Sequence, residues 1–314
     1  MKKRILIITF IFFLFFGAGR GGRAIAQQDP QYSQYMFNQL AINPAYAGSK
    51  EAISAASFLR TQWTGISGAP KTETFTVHGP FARKKVGLGL AIIADQVGPT
   101  KSVGAMGSYA YRIKIKNGKL SFGLRAGVYN YTYNWDAITY KDQGDLYNTH
   151  NSTSQLVPTA DAGIYYYTRT EYIGFSATHL YNGRLTTVSS FNGDDVRFSR
   201  HYFLTAGKAW ALSDNFIFNP SVCVKGAKGA PYTVDANLSF NIDKRLWVGV
   251  SGRSTKDMVV YAEISITEKF KFGYAFDFGF GQLAKIGGGT HELVLSYDFN
   301  LIKSKILSPR HLYF

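Results

Sequence analysis

From Phe270 to Phe280 every second residue is aromatic. Phe270, Phe272, Tyr274, Phe276, Phe278 and Phe280 fall on one face of an extended strand, while Lys271, Gly273, Ala275, Asp277 and Gly279 fall on the other. The split is geometric, because successive side chains of a strand point to opposite faces. The same alternation recurs along the chain. Leu120, Phe122, Leu124 and Val128 oppose Ser121, Gly123, Arg125 and Gly127. Val234, Ala236, Leu238 and Phe240 oppose Asp235, Asn237, Ser239 and Asn241. Val260, Ala262 and Ile264 oppose Tyr261, Glu263 and Ser265, and Leu293, Leu295 and Tyr297 oppose Glu292, Ser296 and Asp298. Period two sustained over about nine residues suits a tilted strand that crosses a bilayer.

The pattern predicts about 14 such strands, near 51–62, 71–79, 85–95, 101–116, 118–132, 158–168, 170–180, 198–211, 214–226, 231–242, 244–253, 257–267, 269–280 and 290–300. The connections fall into short and long classes that alternate. PFARK, Arg169, Asp243 and Glu268 mark short ones; TGISGAPK, DQVGPTKS, the stretches from Tyr133 to Val157 and from Tyr181 to Arg197, KGAKGAP, RSTKD and GQLAKIGGGT mark long ones. Such alternation is expected of an all-β, antiparallel transmembrane barrel with tight periplasmic turns and longer outer loops. An even strand count puts both termini in the periplasm. Two places strain the pattern. Lys208 and Trp210 share a face with Tyr202 and Leu204, and Pro220 interrupts a strand, where a bulge or a rim position is expected.

Residues 27–50 do not alternate. Tyr32, Tyr35, Met36, Phe37 and Leu40 fit a short helical face, followed by a turn at Asn43-Pro44. The segment is expected to plug the barrel or lie along its rim. Ahead of it, Lys2, Lys3 and Arg4 precede an apolar run from Ile5 to Phe16 and a small-residue stretch ending Ala24-Ile25-Ala26. That order predicts a signal peptide over 1–26. The division that follows is a barrel over 51–301 and a tail over 302–314.

Composition sharpens the membrane reading. The chain holds 24 Phe, 21 Tyr and 32 Gly with a single cysteine, Cys223, so no internal disulfide can form. The formal net charge is +15, spread over turns and strand ends rather than gathered on one element, so nucleic acid is not an expected partner. A soluble β-sandwich that binds glycans is the competing fold.

Reactive chemistry is not evident. The six histidines, His78, His150, His179, His201, His291 and His311, lack zinc spacing. Gly287 to Gly289 read as a loop turn, and Asp142, Asp145, Asp194 and Asp195 as solvated loop acids rather than a calcium site. No catalytic residue, cofactor or metal is expected. Arg125, Glu263, Asp277 and Glu292, with Arg112, Asp235, Lys271 and Asp298, fall on the polar, lumen-facing side of their strands. They line a channel or form a packed ion-pair ladder around an inserted segment. Filling is the preferred reading, because fourteen strands enclose a wide interior and residues 27–48 are available to occupy it. On this facing a lysine is expected to be better tolerated at Asp277 than at Phe276.

The string DPQYSQYMFNQLAINPAYAGS at 29–49 resembles the N-terminal signature of the PorP/SprF family of type IX secretion. RTQWTGISGAPKT at 60–72, KVGLGLAI, YIGFSATHLYN, RHYFLTAG, GYAFDF and HELVLSYDF continue the resemblance across the predicted mature chain, and SPR at 308–310 resembles the closing motif, with four residues beyond it. Asn43, Pro44, Tyr46, Gly48, Trp63 and Gly65 are the signature positions. The resemblance implies an outer-membrane accessory of the type IX secretion system and gliding machinery that assists secretion or surface retention of cargo with C-terminal secretion domains. Implied partners are other secretion-system components, the cargo, outer-membrane lipid and a periplasmic peptidoglycan-binding protein. A general solute channel is the alternative. Trp63 reads as an interface anchor before a partner contact.

Overall fold

The computed structural model describes residues 30–50, 52–81, 85–138, 153–181, 183–185, 196–227, 230–281 and 287–299. The expected signal peptide, the C-terminal tail with its SPR string, and Asp142, Asp145, Asp194 and Asp195 lie outside them.

Among these residues the strands are β1 (Ile53–Thr61), β2 (Lys71–Phe81), β3 (Val86–Val97), β4 (Thr100–Ile115), β5 (Gly118–Tyr133), β6 (Thr153–Tyr167), β7 (Glu171–Thr178), β8 (Arg184–Leu185), β9 (Val196–Arg197), β10 (His201–Lys208) and β11 (Trp210–Ser213). They continue with β12 (Phe216–Ala227), β13 (Thr233–Ile242), β14 (Leu246–Arg253), β15 (Asp257–Ser265), β16 (Phe270–Gly279) and β17 (Thr290–Phe299). Neighbours in sequence pair antiparallel, β1 pairs with β17, and β10 pairs with β12. The sheet therefore closes. With β10 and β11 counted as two halves of one strand, the barrel has 14 strands. The small β8–β9 ladder stands apart in the connection from β7 to β10.

The faces separate as the alternation requires. Phe122, Leu124, Phe175, Leu204, Leu238 and Phe272 are exposed on the outer surface, Leu124 at 66%. Ser121, Arg125, Asp235, Asn237, Glu263, Asp277 and Glu292 are buried inside. An apolar belt of this extent is stable only when hydrocarbon covers it. Closure also leaves no unpaired edge, which a bilayer would penalise.

One expectation needs correction. DQVGPTKS is not a long loop: β3 and β4 stay paired up to Val97 and Thr100, leaving only Gly98 and Pro99 between them. The extra residues were absorbed by strands, so loop length alone does not alternate. Pro220, expected at a bulge or near a rim, faces a gap in the ladder. β10 pairs through Gly207 and Ser221, and β11 resumes in the same register at Trp210 and Phe218. The two pairs between them are missing, because proline has no N–H to offer the ladder. On the other side of the strand the ladder to β7 continues, with the Ala209 amide donating to the Thr170 carbonyl at 2.7 Å. Lys208, outward beside this gap, pairs with Glu171 at 3.0 Å and lies over the Trp210 ring. That accounts for the mixed face read from the sequence.

Candidate functional site

Residues 30–50 pass through the lumen. Pro30 and Gln31 lie beside Trp63, Thr100 and Gly289, at the end of the barrel that carries the long connections. Lys50 pairs at 3.8 Å with Asp298, at the other end, where β1 begins. The segment thus descends from the long-connection end to the short-turn end. Nearly every residue from Tyr32 to Ser49 is buried.

Charged groups on the wall hold its upper part. Glu292 accepts the backbone N–H groups of Ser33 and Gln34, each at 2.9 Å. The Ser33 hydroxyl donates to Asp277 at 2.6 Å and accepts from Arg60. Arg60 in turn bridges Asp277 at 2.8 Å and Glu292 at 3.1 Å. Arg253 stands 3.7 Å from Asp277 and 3.2 Å from Asp235, which takes Lys225 at 2.6 Å. Pairs of opposite charge therefore link the wall from β12 to β1. Burial of each is compensated by its neighbours, and loss of one strands the rest. Tyr32 and Tyr35 add hydroxyl bonds to Thr74 (2.8 Å) and Ser221 (2.9 Å).

Lower down, Gln39–Ile42 forms one helical turn, shorter than the helical face expected from the sequence. Its terminal carbonyls would be orphans inside the barrel. Arg125 donates to those of Leu40 (3.1 Å) and Ala41 (2.8 Å), and Ser176 to that of Ile42 (2.6 Å). Asp161 pairs with Arg125 and also accepts the His179 amide at 2.8 Å. Glu263 is buried 3.9 Å from Lys271.

Asn43, Pro44, Tyr46 and Gly48 form the seat of the plug. Asn43 caps the 3-10 turn Pro44–Tyr46 by accepting the Ala45 amide at 2.9 Å, and its own amide donates to the carbonyls of Ile164 and Phe175. Tyr46 packs edge-on against His78 and Tyr165. Gly48 has φ +68°, and its N–H donates to His78 Nδ1 at 3.0 Å. Arg112 donates to the Gly48 carbonyl and, at 2.6 Å, to that of Val86. The wall opposite is glycine. A Cβ on Gly87 would overlap the Ala47 carbonyl, and one on Gly123 the Ala45 backbone. Glycine is required there because backbone meets backbone.

Trp63 and Gly65 lie at the other end. Trp63 has φ 45° and donates its N–H to Thr290 Oγ1 at 3.2 Å; Gly65 has φ +90°. The Thr64 amide donates to Gly289, and the Gly288 amide to Thr64, tying the first long connection to the last. The six signature positions therefore divide between the two mouths. Trp63 borders a cavity of about 870 Å³. Arg60, Asp277 and Pro30 lie toward its floor, and Tyr129, His179, Phe198 and Asp257 along its sides. His179 (φ 53°) stacks on Phe198 at 4.9 Å. Arg60, Asp161, Ser33 and His179 were not singled out from sequence. Arg60 sits inward on β1, among small residues whose alternation is weak. Among the described residues no group of three or more His, Cys, Asp or Glu could hold a metal ion.

A closed barrel with an apolar outer belt and a filled polar lumen defines an outer-membrane β-barrel protein. The chain belongs to the family described as type IX secretion system membrane protein PorP/SprF, which it matches over residues 24–297. No curated protein matched it. Solved structures similar to it include a Pseudomonas aeruginosa FadL homologue, at 12% identity and TM-score 0.47, covering 89% of this chain and 97% of that one. The CymD monoaromatic hydrocarbon channel matches at 12% and 0.47, over 84% and 93%. The KdgM porin matches at 10% and 0.38, over 79% and 99%.

Proposed function

We propose that this protein is a non-enzymatic accessory of the type IX secretion system that assists secretion or surface retention of exported cargo. The long connections and the cavity beneath them face the cell exterior and hold a cargo domain carrying a C-terminal secretion domain. The short turns face the periplasm, where other components of the system, including a peptidoglycan-binding protein, are met.

The observation that carries this reading is the occupied lumen. Ser33, Gln34, Leu40, Ala41 and Ile42 are each bonded to the wall, so a general solute channel is disfavoured. Among the described residues, what remains open is a cup on the long-connection side, lined by mixed charge and aromatic rings. Such a lining suits a protein ligand better than a stream of small solutes.

The test compares surface and culture-medium proteomes with and without the gene. A few proteins with C-terminal secretion domains should leave the surface, accumulating inside or spilling into the medium. An unchanged surface would sink the proposal.

A further inference from the structure

Part of the basic charge that looks dispersed along the sequence gathers on one lip of the barrel. Lys85 precedes β3, Lys114 and Lys119 flank the β4–β5 turn, Arg245 precedes β14 and Lys269 precedes β16. All five lie at the short-turn end. Each is in step with a buried, lumen-side residue of its strand: Lys85 with Gly87, Lys114 with Arg112, Lys119 with Ser121, Arg245 with Trp247, Lys269 with Lys271. By the two-residue alternation they ring the inner lip of the mouth, not the lipid side. Lys116 and Lys244 add charge at the turn apices, both with positive φ. Among the described residues the acids at this end are fewer: Glu171 is paired with Lys208, Asp298 is buried near Lys50 and opposite Lys269, and Asp214, Asp243 and Glu268 sit in turns.

We infer that the short-turn mouth is a docking surface for the acidic face of a soluble protein, seated over the lumen and held by charge. Lipid headgroups would call for cations on the outward face, and these point the other way. The inference concerns the end of the barrel opposite the cargo cup, so failure of the cargo experiment leaves it standing.

The test uses the full chain in nanodiscs and a short polyglutamate as the acidic probe. Replacing Lys85, Lys114, Lys119, Arg245 and Lys269 with Gln should weaken binding about tenfold and flatten its salt dependence. Replacing Lys71, Lys101 and Lys256, at the long-connection end, should leave it unchanged. A single-site readout guards against a multiple variant that does not fold. A dye on Lys116→Cys should respond to the probe, and one on Lys256→Cys should not; Cys223 is buried and stays unlabelled. Equal binding by the rim variant, equal loss in the control, or a rim effect seen only as lost stability in phosphatidylglycerol discs would overturn the inference, the last by assigning the ring to lipid.

Discussion

Glu292 accepts the backbone N–H of Ser33 at 2.9 Å, a bond between the last strand and the plug across 259 residues of sequence. The same carboxylate takes the Gln34 amide and Arg60. It is fully buried, and so is most of Arg60. Glu292→Ala would leave a buried guanidinium short of one partner and two amides without acceptors. Breaking a buried pair from one side costs about 3–5 kcal/mol. The barrel wall has its own ladder and should persist, so the loss falls on the plug. Wild-type protein should carry no steady current in planar bilayers, while Glu292→Ala should show openings. A silent variant would mean the seat at the lower end suffices.

The seat predicts a contrast between two glycines on adjacent strands. Gly123 faces the Ala45 backbone, whereas nothing lies within 4 Å of a Cβ on Gly107, which is on the lipid side. Gly123→Ala should destabilise the plugged state by about 1–3 kcal/mol, the usual range for overpacking. Gly107→Ala should be neutral or slightly stabilising. Thermal unfolding in detergent would separate them, and matching melting points would refute the close approach of plug and wall.

What was readable in the sequence follows from where each signal resides. β16 announces itself because lipid contacts one face along its whole length, so Phe272, Tyr274 and Phe278 need only be apolar. β10 and β11 were blurred because Lys208 stands outward near a rim, where a cation reaches a partner and needs no apolar neighbour. The seat was named only as a signature. Asn43 meets Ile164 at a separation of 121 residues, and no local period records such a contact. The comparison of lysine at 277 with lysine at 276 is a poor test of facing on this ground. Asp277 faces the lumen, yet it lies between Arg60 and Arg253, and a third cation there would be repelled.

A better pair for testing which face meets lipid lies near the middle of β5. Leu124 is exposed outward, and Arg125 is buried inward with its charge met by Asp161. Leu124→Lys should cost about 2–4 kcal/mol and reduce insertion, the range for a cation at the midplane of a barrel's lipid face. Arg125→Lys keeps the charge in the lumen. It loses part of the grip on the Leu40 and Ala41 carbonyls but should insert normally. Membrane fractionation with heat-shifted gel mobility would rank the two. Equal insertion would reverse the assignment of faces.

The direction of the plug predicts which residues can be reached from outside the cell. Gln31 borders the cavity at the long-connection end, and Lys256 sits exposed in a connection at that end. Lys116 lies in a turn at the opposite end. The only native cysteine, Cys223, is buried and gives little background. If the long connections face the exterior, a membrane-impermeant maleimide should label Gln31→Cys and Lys256→Cys on intact cells, and Lys116→Cys only after lysis. Gln31 is the informative member. Labelling of Lys256→Cys alone would place the start of the plug away from the outer mouth and contradict its descent through the lumen. Labelling of Lys116→Cys alone would invert the barrel, and the cup could not then receive a cargo from outside.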